Sequence, residues 1–428
     1  MKTYHFYEEY KKELRIKQKR QKAKVDFLFC ENEVKILKKD EALVEYCKHL
    51  HKYLAWDDNR ESIDVIISDF KKILSKIKEY ESHLSFTNKE IGIRHIDWKN
   101  KEQVDALCDE HEKVVCSFFE HLDSLTPDMH PVLPAAKNNL DHFTFLSAEK
   151  AVSFAQYPDT FRETDEAIGN KRIVLKINDK KPFVSISDML TIATHEVIHS
   201  LSDAFKFPLF TSEEQSKIHD INAEYPSVIG AALSANYYSS VMPECKSYFA
   251  FMALDDFFSC IKKIQGTLAS IALCKVIAGE KSLKDTQKEY GKYVNLNTSK
   301  LKKSLTKLSS FIKDLPESIT YHDRLEKIED FFFNDRYVRY YIPHMLAFKA
   351  QDLYQEDPHK AATILKDIIE NDLSYTPEDI IKKFGYSSRE ECVDDFCNNL
   401  DNRFEILKNN VSACKIEKAS NDLIEKEL

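Results

Sequence analysis

Glycine is what this chain lacks. Seven glycines occur in 428 residues, beside 12 prolines. Tight turns and hairpins draw on glycine for backbone conformations that other residues rarely take. Its scarcity therefore disfavours a strand-rich fold and points to long helices joined by short polar links. Leu, Lys, Glu, Ile and Ala dominate the segments between breaks, in keeping with helix. Hydrophobic residues make up 43% of the chain, enough for a sizeable core in one large domain or two to three smaller ones. The expected class is mainly α.

Along the chain, residues 4–95 read as charged amphipathic helices, and the basic run Lys11–Lys24 as a solvated helix face. Val104, Leu107, Cys108, His111, Val114, Val115, Phe118 and Phe119 recur at spacings of three and four, which predicts a helix within 96–125. Pro127, Pro131 and Pro134 break it. Residues 135–170 show no clear period. Arg172-Ile-Val-Leu-Lys-Ile-Asn178 is the best strand candidate, and an edge strand there could hold an extended peptide by strand addition. Further helices are expected at Ala223–Tyr238, at Glu244–Ala278, as a Lys-rich pair across 281–314, and over 322–356 and 358–371. A short helix from Pro377 should stop at Gly385, and a last one should run from about Arg389.

The formal net charge is −9, which argues against nucleic acid as a general partner. Ten cysteines are scattered with no CxxC pair, as expected of free thiols in a reducing compartment. The first residues, MKTYHFYEEYKKELRIKQKRQKAK, contain no apolar core of a secretory signal and carry acids as well as bases. The uncharged stretch Tyr225–Pro243 is broken by serines, an asparagine and a tyrosine pair, and reads as a buried helix, not a bilayer span. A cytoplasmic protein with no membrane partner is the expectation.

The chemistry concentrates between Ser187 and Ser227. There His195, Glu196 and His199 form H-E-x-x-H. Residues four apart on a helix stand one turn above each other, so two imidazoles can grip one zinc ion with Glu196 near its open side. Ser187 could cap the helix, and Asp188 suits its positive end. A surface helix that happens to carry two histidines is the plain alternative. The uncharged flanks Ile192, Ala193, Thr194, Ser200 and Leu201 favour the metal, and one zinc per chain is expected. Asp203, four residues past His199, could orient that imidazole. A catalytic zinc needs a third protein ligand. Glu224, in Asn222-Ala-Glu-Tyr-Pro-Ser227, and Glu244, in Met242-Pro-Glu-Cys-Lys-Ser247, both qualify, and spacing leaves the choice open. With Glu244, Tyr237 stands seven residues ahead, a spacing that resembles the lethal-factor type of protein-targeting zinc protease.

Four segments in order, across about 187–390, resemble the thimet oligopeptidase and oligoendopeptidase F family. They are Asp-Met-Leu-Thr-Ile-Ala-Thr-His-Glu-Val-Ile-His-Ser-Leu201, Ala223-Glu-Tyr-Pro-Ser227, the tyrosine-rich Tyr337-Val-Arg-Tyr-Tyr341 with Ile-Pro-His344 following, and Tyr375-Thr-Pro-Glu-Asp-Ile-Ile-Lys-Lys-Phe-Gly385. The resemblance implies a helical zinc-metallopeptidase fold with a small β-sheet beside the HExxH helix, enclosing a substrate channel. It makes Glu224 the third ligand and Glu196 the general base, and it offers Tyr340, Tyr341 and then Tyr337 as oxyanion donors, with His344 near them. Residues 1–130 would be a reduced N-terminal lobe and 131–428 the catalytic region, acting on peptides or unfolded polypeptide. The chain departs from the family in four places: Ile198 replaces the glycine before the second histidine, Ala231 replaces an acid, Pro343 replaces the second tyrosine of a pair, and Asp335 stands near the place of a histidine. These departures motivate the alternative of an inactive pseudopeptidase acting as a binding protein.

Overall fold

The computed structural model describes residues 34–54, 61–78, 93–140, 144–147, 154–156, 172–177, 183–206, 224–242, 261, 264–266, 268–293, 299–316, 318–320, 323, 340–371, 374–402 and 405. This part is mainly helical, as expected. The chain divides into two compact units, one of residues 1–89 and 259–341, the other of 90–258 and 342–428. Residue 130, the boundary expected from the sequence, falls inside the second of these units. In the first unit, Leu37, Leu43 and Cys47 share a core with Leu273, Cys274, Ile277 and Leu308. In the second, the helix Lys101–Leu125 packs on Leu133–Leu140, on Ile186–Lys206 and on Pro358–Asn371. Burial of apolar faces, not nearness in sequence, assigns each helix to its unit.

Within the first unit, the helix Glu41–Lys52 leads into a two-residue strand, Tyr53–Leu54, paired antiparallel with Glu61–Ser62 ahead of the helix Ile63–Lys78. Ser282 caps Leu283–Tyr290 by accepting the Asp285 N–H at 3.1 Å. Glu289 on that helix accepts from Lys71 at 3.0 Å and from Lys281. The helix Ser299–Asp314 completes the Lys-rich pair.

The second unit is built on the 25-residue helix Lys101–Leu125. Asn100 accepts the Gln103 N–H at its start, and Leu107, His111, Val115, Phe118, Phe119 and Leu122 form its buried stripe. Just before its end, Asp123 anchors the following turn. Its carboxylate accepts the N–H groups of Val132 (3.0 Å) and Leu133 (2.9 Å) and the Nζ of Lys366 (2.9 Å). Lys366 lies on Pro358–Asn371, whose buried face includes Ala361, Ala362, Ile364, Leu365, Ile368 and Ile369. A capping box of Thr376 and Asp379 opens Pro377–Lys383, and Gly385 at φ +90° ends it, a backbone conformation that side chains resist.

Short strands complete this unit. Ile93–His95 pairs antiparallel with Phe183–Ser185, which runs straight into the helix Ile186–Lys206. That helix starts one residue before Ser187, so Ser187 lies inside its first turn and not at the cap. Arg172–Ile177 pairs parallel with Thr144–Ser147 and antiparallel with Phe154–Gln156. It therefore lies between two short neighbours, with Val174 paired on both sides, Arg172 and Ile173 paired on the Phe154–Gln156 side, and Leu175–Ile177 on the Thr144–Ser147 side. Among the described residues, no helix is long and apolar enough to cross a membrane. Among the described residues, Cys47, Cys108, Cys116, Cys274, Cys392 and Cys397 form no disulfide.

Candidate metal centre

Two helices make the site. Ile186–Lys206 carries H-E-x-x-H and buries Met189, Leu190, Ala193, Val197, Ile198 and Leu201. Glu224–Val241 packs against it and is buried on nearly every side, from Tyr225 to Gly230 and again at Ala232–Ala235 and Tyr238. The scarcity of charge in that helix follows from this burial, because a buried ion needs a partner. Glu224 is the first residue of its helix, where the backbone dipole favours a carboxylate.

Two contacts hold the helices together. Thr194, next to His195, donates its hydroxyl to the Leu190 carbonyl at 2.9 Å, and its oxygen lies 2.7 Å from the Tyr238 hydroxyl. Tyr238 is fully buried, and burial pushes its phenol well above the usual tyrosine range. Ile198, next to His199, fills the space left by Gly230: a Cβ at position 230 would fall 2.0 Å from Ile198 Cδ1. The composition of the Glu224 helix gave one hint of this contact, since a glycine inside a helix costs stability unless close packing requires it.

The three expected ligands converge. His195 Nε2 lies 3.0 Å from His199 Nε2, and each lies 3.5 Å from Glu224 Oε2. The imidazole rings meet edge to face, at 82° with centroids 4.7 Å apart. All the donor atoms fall within 4.8 Å of one another, so the cluster could hold a metal ion. The side chains are 16–23% exposed, sheltered yet open to a small ligand. Burial raises the Glu224 carboxyl, but hydrogen bonds and charge from His195 and His199 outweigh it and hold the group well below the usual carboxylate range. Glu224 is thus an anionic donor between two imidazoles.

Glu196 is half-buried, one residue after His195 and three before His199, on the flank of the His199 face. Asp203 lies on the same helix, which continues to Lys206. Glu244 and Tyr337 lie outside the described residues. Tyr340 is half-buried. Tyr341 is a core residue of the first unit, its ring edge-on to Phe70 at 4.9 Å and its hydroxyl 3.5 Å from Asp69. The triad belongs to the second unit, as does His344, which is buried. Tyr237 is half-buried and stacks on His121 at 4.7 Å, and the His121 Nε2 lies 2.8 Å from the Tyr354 hydroxyl. Set against known proteins, the chain matches no family model, no curated protein and no solved structure.

Proposed function

We propose that this chain is a zinc-dependent peptidase of the thimet oligopeptidase and oligoendopeptidase F kind, acting on peptides or unfolded polypeptide in the cytoplasm. One observation carries the proposal. The two histidines of H-E-x-x-H and a glutamate 25 residues further on converge with their donor atoms within 4.8 Å. Zinc bonds of about 2.0–2.2 Å to N and O in a tetrahedral site place neighbouring donors roughly 3.3 Å apart. The observed 3.0, 3.5 and 3.5 Å fit that spacing. Two imidazoles and one carboxylate are also a donor set typical of catalytic zinc, with a fourth position left for substrate or water.

Zinc held there supplies a Lewis acid for water and for the scissile carbonyl. Glu196 accepts the proton of the attacking water and delivers it to the leaving amine. His195 and His199 would serve as ligands through the Nε2 atoms that face Glu224, oriented by the helix that bears them. A tyrosine hydroxyl is the kind of donor the developing oxyanion requires, and Tyr341, buried beside Phe70 and Asp69 in the core of the first unit, is not placed as that donor here. The small sheet beside the HExxH helix forms one wall of a substrate channel. Neither nucleic acid nor membrane is a partner.

The test is metal analysis together with a peptide-library digest by the wild type and by Glu196→Gln. One zinc per chain in both proteins, with cleavage lost in the variant by about a hundred- to ten-thousand-fold, is expected. Equal, negligible digestion by both with zinc bound would replace the enzyme with a pseudopeptidase that binds without turnover.

A further inference from the structure

The proposed zinc site draws its donors from two helices, so the distance between those helices must be held. Gly230 lies six residues along the helix from Glu224, and Ile198 directly precedes His199. A Cβ at Gly230 would meet Ile198 Cδ1 at 2.0 Å, with Ile198 Cγ1 and Leu365 Cδ1 both at 3.5 Å. Ordinary contact begins at 3.4 Å, so even one methyl is more than an ångström too large on the Ile198 side. Leu365 Cδ1 stands at contact distance from the same point. Ile198 Cδ1 is the free end of its side chain, so a methyl at 230 must either turn that end away or part the helices. Gly230, Ile198 and Leu365 are all buried, and a close-packed interior opposes the turn. Ile198 is therefore a knob seated in the notch at Gly230, one residue from a ligand histidine and on the same helix pair as the ligand glutamate.

We infer that this notch is a positioning element for the metal. It sets the approach of the two helices and, through it, the separation of Glu224 from His195 and His199. The inference rests on the zinc reading given above. Metal–ligand distances tolerate only about 0.2 Å of change, so a shift of the size a methyl demands removes Glu224 from the coordination sphere or distorts it. Helix propensity acts in the opposite direction, since alanine is the better helix former. A loss on Gly230→Ala is therefore a steric effect.

The test uses the full chain as wild type, Gly230→Ala, Ile198→Val, and the double variant, in which the Cδ1 that clashes is gone. Each is stripped of metal and titrated with Zn2+ against a chromogenic chelator. Each is also loaded with Co2+, whose visible spectrum reports coordination geometry, and helix content is followed by circular dichroism. Gly230→Ala should keep its helix content, lose about ten- to a hundredfold in zinc affinity as metal-supporting residues commonly do, and shift the Co2+ spectrum. Ile198→Val should bind zinc within about threefold of wild type, and the double variant should return close to it, because the methyl added at 230 fills the space the deleted Cδ1 leaves. If Gly230→Ala does not fold, the double variant still decides: it must fold and bind zinc. Wild-type affinity in Gly230→Ala, or no recovery in the double variant, overturns the notch while leaving the zinc site standing. A wild type that binds no zinc removes both.

Discussion

Asp123 and Lys366 form one ion pair whose two halves should cost very different amounts to remove. Lys366 is 0% exposed and Asp123 19%. Truncating Asp123 to Ala leaves a fully buried ammonium without its acceptor, which typically costs about 3 to 5 kcal/mol. It also releases the Val132 and Leu133 N–H groups at the start of Leu133–Leu140, each worth about 1 kcal/mol where water cannot replace the bond. Glu370 lies one turn beyond Lys366 and feels its charge, which offsets about 1 kcal/mol and brings the lower end of the total to about 4 kcal/mol. The reverse change, Lys366→Met, removes the buried charge and fills its volume. It leaves a carboxylate that water can reach and that still accepts two backbone N–H groups, so about 1 kcal/mol is expected. Amide hydrogen exchange, read on fragments covering 115–140 and 358–371, measures both. Protection should fall roughly a thousandfold in Asp123→Ala and no more than about tenfold in Lys366→Met. Equal losses in the two variants would refute exposure of the residual charge as the deciding term.

Three further outcomes follow from the geometry. Glu224→Ala should remove one of three donors and abolish stoichiometric zinc binding at micromolar metal, measured by dialysis and metal analysis, with helix content unchanged. Thr376→Ala breaks the capping box with Asp379 and should cost about 1 kcal/mol, seen as faster exchange confined to Pro377–Lys383. For Glu289, burial raises the carboxyl, but the bonds from Lys281 and Lys71 prevail and lower it. A lowered folded value stabilises the first unit above the ordinary carboxylate range, and that contribution is lost as pH falls through the folded value. Unfolding midpoints against pH should therefore decline less steeply on the acid side in Glu289→Gln than in wild type.

Much of the helical framework could be read from residue patterns. The stripe from Leu107 to Phe119 gave the helix Lys101–Leu125, Pro377 and Gly385 bracketed a short helix, and the spacing of His195 and His199 placed both imidazoles on one face. The strands were harder because strands of two to four residues carry no measurable period. Ile93–His95 and Phe183–Ser185 find each other across some 90 residues, a pairing no local signal announces. Arg172–Ile177 read as a strand, but its place between two neighbours depends on Thr144–Ser147 and Phe154–Gln156, which lie in a stretch without pattern. Within the metal site, the ligands were visible as residue types, while the fit of Ile198 against Gly230 was not. Ile198 on one helix meets a glycine on the other, a fit that is invisible until the helices are seen packed.

The interleaved order of the two units bears on how the chain is made. Residues 1–89 emerge from a ribosome well before 259–341, yet the core that covers Leu43 and Cys47 needs Leu273, Cys274 and Leu308. Their apolar faces must wait through the synthesis of nearly the whole intervening segment, a period in which chaperones would have surface to hold. The same order governs dissection. Cutting at residue 130 would strip the helix Lys101–Leu125 from the unit that carries His195, His199 and Glu224, and would split the first core as well. A fragment that keeps the histidines and Glu224 in their native packing has to join 90–258 to 342–428 by a new linker.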